Sequence, residues 1–244
     1  MLGPLTDIRR LILWDIDGTL MTAGASARTA FDDAVAQVIG REPGEHGVQM
    51  SGKTDPQIAL EILATLALTE SEAREHLPGV LQALEERLED AIHLMRADGR
   101  VLPGVEAALA ALGQDPHVLQ TVLTGNLAAN ARVKLAVFGL DRWLDLRVGA
   151  YGSDHPDRME LVPVALEKVL RTYGANLDPD DVWVVGETPL DLACAVASGA
   201  HCLLVATGRF ALDELRTLDA DVVLPDLSDT RRVLGILTGA RASK

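Results

Sequence analysis

Leu11-Ile-Leu-Trp-Asp15-Ile-Asp17-Gly18-Thr19 is the stretch of this 244-residue chain that decides both its fold and its chemistry. A short apolar run of this kind predicts a buried strand, and here the run leads directly into two carboxylates. Residues two apart in an extended chain lie on one side, so we expect Asp15 and Asp17 to project together from the strand end. Gly18 then lets the chain turn away. An Asp-Gly pair is also common in simple turns, but the buried strand before it favours a functional site.

From residue 101 onward, short apolar runs alternate with segments of helical period. We expect strands at His117–Leu123, Asp145–Val148, Asp181–Val185, His201–Ala206 and Asp221–Leu224. We expect helices at Gly104–Leu112, Leu127–Phe138, Glu160–Tyr173, Pro189–Ser198, Ala211–Leu218 and Ser228–Leu237. This alternation predicts an α/β fold, in which a parallel sheet is covered by helices on both faces. Sheets of this kind bind ligands beyond the carboxyl ends of their strands.

Residues of about 25 to 98 do not continue the alternation, because apolar residues recur there only at helical spacing. One stripe comprises Leu81, Leu84, Leu88, Ile92 and Met95, and a second comprises Ile58, Ile62, Leu63 and Leu66. We therefore predict a helical insertion between the first and second strands of the α/β core.

Charge and cysteine content exclude several classes of protein. The chain has 22 basic and 36 acidic residues, and its formal net charge of −14 disfavours nucleic acid and anionic membranes as partners. Its two cysteines, Cys194 and Cys202, do not form a secreted disulfide framework, so we interpret them as buried thiols in a reducing compartment. The early apolar run is too short for a signal peptide or a membrane span. We expect a cytoplasmic protein.

The Asp-x-Asp-Gly-Thr pattern of residues 15–19 resembles the first motif of the haloacid dehalogenase-like (HAD) superfamily, in particular its phosphoglycolate phosphatase and β-phosphoglucomutase group. The resemblance spans nearly the whole chain, because further motifs follow in the family's order. It implies a Rossmann-like core (residues 1–20 and 101–244) and a mobile helical cap inserted after the first motif (residues 21–100). It also implies Mg²⁺ and phosphoryl transfer through an aspartyl-phosphate, with Asp15 as nucleophile and Asp17 as general acid and base.

The second motif of the resemblance is Val122-Leu-Thr124-Gly125-Asn126, at the end of the next core strand. The side chains of Thr124 and Asn126 can donate to a phosphoryl oxygen, and Gly125 lies between them. The helix that follows offers free N–H groups and the positive end of its dipole. Asn126 is alternatively only the N-cap of that helix, and both roles are compatible.

The third motif of the family is a lysine, and Arg158 occupies that place here. The one lysine in this segment, Lys168, lies too far along its helix. A guanidinium can hold Asp15 and a phosphoryl group together through two bonds, although its geometry differs from that of an ammonium group. The alternative is a solvated arginine at a helix start.

The fourth motif is Val184-Val-Gly186-Glu187-Thr-Pro-Leu-Asp191, in which Glu187 replaces the aspartate of the family pattern. Glutamate brings the oxygen ligands that a hard cation needs. The same residues make a good helix start, with Thr188 as N-cap and Asp191 at the third position. We therefore expect Glu187 to bind the metal directly and Asp191 to act mainly through its neighbours. The metal candidates are Asp15, Asp17, Glu187 and Asp191.

In the insertion, Met50-Ser-Gly-Lys53-Thr-Asp55 has the composition of a loop, and the resemblance places a substrate-facing loop here. Lys53 could reach an anionic or hydroxylated leaving group. It could equally be a solvated loop cation.

Together these residues predict a Mg²⁺-dependent phosphatase that hydrolyses a small phosphorylated metabolite. Asp17 argues against the dehalogenases and phosphonate-cleaving members of the family, which lack an aspartate at this position. Two alternatives stay open at this point: a phosphosugar mutase of the same family, and a catalytically weak member that binds a phosphorylated metabolite or a partner. Arg158 and Glu187, which depart from the family pattern, motivate the second.

Overall fold

The structure is a computed structural model that describes residues 7–24 and 26–239, and it leaves the side chains of residues 26 and 27 undescribed. The predicted core and cap ranges also include residues 1–6, 25 and 240–244, which lie outside the described residues. The strands in chain order are β1 (Arg10–Trp14), β2 (Met21–Thr22), β3 (Arg100–Val101), β4 (Val118–Thr124), β5 (Ala150–Tyr151), β6 (Val182–Gly186), β7 (His201–Val205) and β8 (Val222–Leu224).

Six of these strands form one parallel sheet in the order β5-β4-β1-β6-β7-β8, with β1 near its centre. Trp14 at the end of β1 pairs with Val122 on one side and with Val185 on the other. The residues that follow these three strands therefore meet at one edge of the sheet, as the sequence predicts for the carboxyl ends of parallel strands.

Helices cover both faces of the sheet. The helices in chain order are α1 (Ser26–Ile39), α2 (Asp55–Thr65), α3 (Glu70–Asp90), α4 (Ile92–Asp98), α5 (Val105–Leu112), α6 (Ala128–Val137), α7 (Leu161–Tyr173), α8 (Pro189–Ser198), α9 (Leu212–Leu215) and α10 (Thr230–Leu237), and those from α5 onward belong to the core. Successive residues of β1 point to opposite faces, and Leu11 to Trp14 are buried. Ile12 and Trp14 pack on the side of α5, α6 and α10, whereas Leu11 and Leu13 pack on the side of α7 and α8. The Rossmann-like α/β fold is thereby confirmed.

The insertion consists of α1 to α4, and it leaves and rejoins the core through the short antiparallel pair of β2 and β3. The two predicted apolar stripes are the faces that pack inward. Ile58, Ile62, Leu84 and Leu88 are buried, and they belong to the same hydrophobic cluster as Ile12 and Trp14. The inserted helices therefore pack continuously with one side of the core.

The structure corrects three details of the sequence prediction. Asp145–Val148 is not a strand, because Asp145 binds Arg147 and Tyr173 through its carboxylate while its own carbonyl closes a turn with Val148. The edge strand is instead the two residues of β5. The helix predicted at Ala211–Leu218 is only α9, and the stripe from Leu81 to Met95 is divided between α3 and α4 at Ala91.

Within the described range of the chain, no helix has both the length and the apolar character needed to cross a membrane. Cys194 and Cys202 are both free and buried.

Candidate active site

Asp15 and Asp17 follow β1 at the edge where the strands end. The Asp15 N–H donates to the Val185 carbonyl oxygen over 2.9 Å, which continues the β1–β6 pairing by one residue. The Asp15 side chain is buried, whereas that of Asp17 is 39% exposed. Gly18 has a φ of +85° and its N–H binds the Met21 carbonyl oxygen at 2.8 Å. This tight turn holds Asp17 over the sheet edge.

Arg158 is buried and lies in a short 3-10 helix, Arg158–Glu160, directly before α7. Its Nη2 lies 2.9 Å from Asp15 Oδ1 and also donates to Asp191 Oδ1. Burial alone would lower the pKa of Arg158, but the carboxylates of Asp191 and Asp15 raise it above its usual value. The alternative of a solvated arginine is therefore wrong. Within the described residues, the Nε of Arg158 is buried and has no hydrogen-bond partner.

Asp191 is fully buried at the start of α8, in the capping box that the sequence predicts. Its Oδ2 accepts hydrogen bonds from the backbone N–H groups of Glu187 and Thr188 and from the Thr188 hydroxyl. Its Oδ1 accepts from Arg158. Asp191 thus orients both the arginine on Asp15 and the turn that carries Glu187.

Glu187 is buried between two glycines, and its Oε2 has no hydrogen-bond partner in the part of the chain that the structure describes. A Cβ atom on Gly208 would lie 2.0 Å from this oxygen, and one on Gly18 would lie 2.9 Å from Glu187 Cγ. Burial, followed by repulsion from Asp15 and Asp191, raises the pKa of Glu187 to about 8. Burial likewise raises the pKa of Asp15, against the opposing effect of Arg158.

The carboxylates of Asp15 and Glu187 are oxygen donors of the kind that a hard divalent cation prefers. Among the described residues, however, no group of three or more His, Cys, Asp or Glu side chains forms a cage that could hold a metal ion. Mg²⁺ does not need such a cage, because it is usually held by one or two carboxylates while water and substrate phosphate complete its sphere. The unpartnered Oε2 of Glu187, beside the buried carboxylate of Asp15, is an oxygen that such a cation would satisfy.

Thr124, Asn126 and Lys134 connect the second motif to Asp17. Asn126 Nδ2 donates to Asp17 Oδ2 at 2.8 Å and to Thr124 Oγ1 at 2.7 Å, and its Oδ1 accepts from Lys134 Nζ at 2.6 Å. Lys134 Nζ also lies 2.6 Å from Asp17 Oδ2. Asn126 is not the N-cap, because α6 begins one residue later than expected, with Leu127 at the capping position.

The loop of the insertion lies directly against this second motif. Asp55 Oδ2 accepts the Leu127 N–H at 2.8 Å, and the Asp55 N–H donates to the Gly125 carbonyl oxygen at 2.7 Å. A Cβ atom on Gly125 would lie 2.0 Å from the Lys53 carbonyl oxygen, so only glycine allows this approach. The carboxylate that satisfies the start of α6 therefore comes from the insertion.

A cavity of about 150 Å³ lies between this loop and the sheet edge. Among its lining residues are the predicted residues Asp15, Asp17, Lys53, Thr124, Gly125, Asn126 and Arg158. Glu187 and Asp191 lie outside the cavity lining, next to Asp15. Lys53 forms an ion pair with Glu61 at 2.5 Å, so its ammonium group is already partnered within the insertion.

Sequence reasoning missed Lys134 and Asp55, which also line the cavity. Lys134 is one of only four lysines in the chain, and its position on the helix that follows the second motif is the signal that could have identified it. Asp55 belongs to the predicted loop of residues 50–55, but no local sequence pattern predicts its contact with the start of α6.

Comparisons with known proteins identify the family and the fold. A family model described as haloacid dehalogenase-like hydrolase matches residues 12–195. A "Phosphoglycolate phosphatase, plasmid" of Cupriavidus necator is 32% identical over 143 residues. That match covers 59% of this chain and 58% of the relative, so the chain matches little more than half of the relative's length.

Solved structures resemble the fold over almost its whole length. A predicted phosphoglycolate phosphatase from Haemophilus somnus 129pt is 20% identical, with a TM-score of 0.64, and the match covers 93% of this chain and 98% of that one. A HAD hydrolase of family IA, variant 3, from Entamoeba histolytica is 15% identical, with a TM-score of 0.68 and coverage of 94% and 99%. At these identities the likeness concerns the fold alone.

Proposed function

Since this chain belongs to the haloacid dehalogenase-like hydrolase family, we propose that it is a Mg²⁺-dependent phosphatase acting on a small phosphate monoester. The observation that carries the proposal is that Asp15 and Asp17 line the same cavity, where Arg158 forms an ion pair with Asp15. A nucleophile and a proton donor at the same cavity are what a two-step hydrolysis requires.

Asp15 is the nucleophile. Arg158 holds its Oδ1, so Oδ2 is the oxygen that attacks phosphorus, displaces the alkoxide of the ester and forms an aspartyl-phosphate. Asp17 gives its proton to the departing alkoxide. It then takes a proton from the water that attacks the aspartyl-phosphate, which releases inorganic phosphate and restores Asp15.

The phosphoryl oxygens are bound by donors at the sheet edge. Thr124 Oγ1 accepts from Asn126, which leaves its own hydroxyl proton for a phosphoryl oxygen. Arg158 lines the cavity and brings its positive charge close to the phosphoryl group. Asn126 already uses both amide hydrogens on Asp17 and Thr124, so its predicted bond to the phosphoryl group requires one of them to be exchanged. Such donors stabilise the charge that spreads over the transferring group.

Asp15 and Glu187 would hold the Mg²⁺ together with the backbone carbonyl of Asp17, the last by the family resemblance. When bound, the ion neutralises the buried carboxylates and draws the anionic substrate to them. Asp191 contributes by orienting Glu187 and Arg158 rather than as a direct ligand.

The inserted helices would act as a cap that selects the substrate, with residues 1–20 and 101–244 as the catalytic core and residues 21–100 as the cap. A cavity of about 150 Å³ suits a small phosphorylated metabolite, since an engineered cavity of that size holds a benzene-sized ligand. The name of the Cupriavidus necator relative points the same way. The two free cysteines of this chain, Cys194 and Cys202, support a cytoplasmic site of action.

A panel of small phosphate esters, assayed for phosphate release with Mg²⁺ and with the metal chelated, tests this proposal. We expect Mg²⁺-dependent release from at least one ester. Binding of an ester without release, with Mg²⁺ present, would contradict the proposal and favour the binding-protein alternative.

A further inference from the structure

Lys134 is a buried cation that the proposed chemistry does not use. It lies on α6 with only 4% of its surface exposed, and lysine is almost never this buried without a charged partner. Its Nζ lies 2.6 Å from Asp17 Oδ2 and 2.6 Å from Asn126 Oδ1. Both partners stand beside the reacting centre.

The contact with Lys134 fixes the orientation of the Asn126 amide. An ammonium group only donates hydrogen bonds, so it must face the carbonyl end of the amide. The NH₂ end then faces Asp17 Oδ2 and Thr124 Oγ1, which are its two acceptors. Without the cation, Asn126 Oδ1 and Asp17 Oδ2 would each lose a hydrogen-bond donor, and the link between them through Lys134 would be gone.

The same contact distinguishes the two oxygens of Asp17. Oδ2 accepts from both Lys134 and Asn126, whereas Oδ1 accepts no side-chain hydrogen bond within the described residues. The donors on Oδ2 therefore set the direction in which Oδ1 points.

One face of α6 links this arrangement to the insertion. Asn130 and Lys134 lie one turn apart on the helix, and Asn130 Nδ2 binds Asp55 Oδ2 at 3.4 Å. The charge of Lys134 also acts on the Asp55 carboxylate. Lys134 thus lies between an acid of the core and an acid of the insertion.

We propose that Lys134 is a positioning residue for proton transfer, which holds Asp17 Oδ1 toward the leaving group through its bonds to Asp17 Oδ2 and Asn126. This role rests on the proposed phosphatase function. It differs from phosphate binding, because it affects the protonation of the leaving group and leaves the affinity for the phosphoryl group unchanged.

The test compares Lys134→Met with the wild type on two esters, an unactivated alkyl phosphate that the wild type hydrolyses and p-nitrophenyl phosphate. Release of the leaving group is measured in a single turnover. We expect a loss on the order of 10–100-fold for the alkyl ester, a part of the full acid–base contribution. We expect a loss below about threefold for p-nitrophenyl phosphate, whose leaving group needs little protonation.

Lys168→Met is the matched control, because Lys168 also pairs with an aspartate, Asp154 at 2.6 Å, but lies away from the cavity. Equal losses for the two esters, or losses no larger than in the control, would overturn the proposal. A parallel rise in the inhibition constant of inorganic phosphate would also overturn it and would make Lys134 a phosphate ligand. Should Lys134→Met not fold, Lys134→Arg takes its place, with a smaller loss expected in the same pattern.

Crystal structures of the wild type and of Lys134→Met give a readout that does not need activity. We expect the Asn126 amide and the Asp17 carboxylate to leave their present orientation in the variant. Unchanged side chains would overturn the positioning role. If the wild type hydrolyses no ester, the phosphatase proposal fails, while this comparison still decides whether Lys134 positions Asp17.

Discussion

Glu187 stands where the family resemblance leads one to expect an aspartate, and two glycines make room for its extra methylene. Gly18 and Gly208 lie so close that a Cβ atom on either would contact the side chain. The carboxylate is thereby enclosed with one oxygen unpartnered. The two glycines therefore accommodate the longer side chain, and the motif can depart from the family pattern and still carry a carboxylate at this position.

If Glu187 is a metal ligand, Glu187→Gln should raise the Mg²⁺ concentration needed for half-maximal activity by about tenfold or more. The reason is that a neutral amide is a poorer ligand for a hard cation than a carboxylate. A Mg²⁺ titration of phosphate release measures the change. The account is contradicted if Asp191→Asn weakens the Mg²⁺ response strongly while Glu187→Gln leaves it unaltered.

Asp17→Asn should slow both steps of the reaction, because the proposal gives the Asp17 carboxyl group the role of acid in the first step and of base in the second. General acid–base catalysis contributes on the order of 10²–10⁴-fold, which is the loss we expect for an alkyl ester. Single-turnover release of p-nitrophenol should fall less. The same loss for both esters would argue against proton transfer by Asp17.

At the scale of elements, the start of α6 and the loop before α2 depend on each other. The Leu127 N–H has no capping partner on its own helix and is satisfied by Asp55. Burial raises the pKa of Asp55 to about 6, against the opposing effects of Lys134 and of the Leu127 bond. The carboxyl group therefore binds its proton more tightly in the folded protein than in the unfolded chain.

The stability of the wild type should consequently fall as the pH rises through the interval between the unfolded pKa of 3.8 and the folded pKa of about 6. Asp55→Asn is neutral throughout. Its free energy of unfolding relative to the wild type should therefore increase from pH 4 to pH 7, by at most about 3 kcal/mol. Denaturant unfolding at several pH values measures this difference.

Asp90→Asn, at an exposed position of the same insertion, is the control and should show no such trend. A difference between Asp55→Asn and the wild type that stays constant from pH 4 to pH 7 would contradict the assigned cause.

At the scale of the whole molecule, a chain of net charge −14 gathers Lys53, Lys134 and Arg158 around one cavity. Lys134 and Arg158 each pair with a carboxylate of the site, and Lys53 pairs with Glu61. The cavity is therefore not a bare basic pocket for phosphate. Binding of a dianion there requires additional positive charge, which the proposed Mg²⁺ would supply.

The sequence predicts most of the sheet and the pair of acids, because both follow from local patterns. Trp14, Asp15 and Asp17 owe their placement to a strand end and a period of two. Lys134 and Asp55 could not be placed in this way, since their partners lie 117 and 72 residues away in the chain. The strand predicted at Asp145–Val148 was wrong for a similar reason. The carboxylate of Asp145 binds Arg147 and Tyr173, and the sequence alone does not distinguish such an aspartate from one at the start of a strand.

The central claim is that Asp15 forms the covalent bond to phosphorus, and phosphate release by Asp15→Asn tests it most directly. The variant keeps the shape of the side chain and removes the nucleophile, so turnover should fall by at least about 10⁴-fold while the melting temperature stays at or above that of the wild type. The preparation is checked by mass spectrometry for reversion of asparagine to aspartate. Release above about one hundredth of the wild-type rate in such a preparation would contradict the account, because that loss is far smaller than removal of a nucleophile produces.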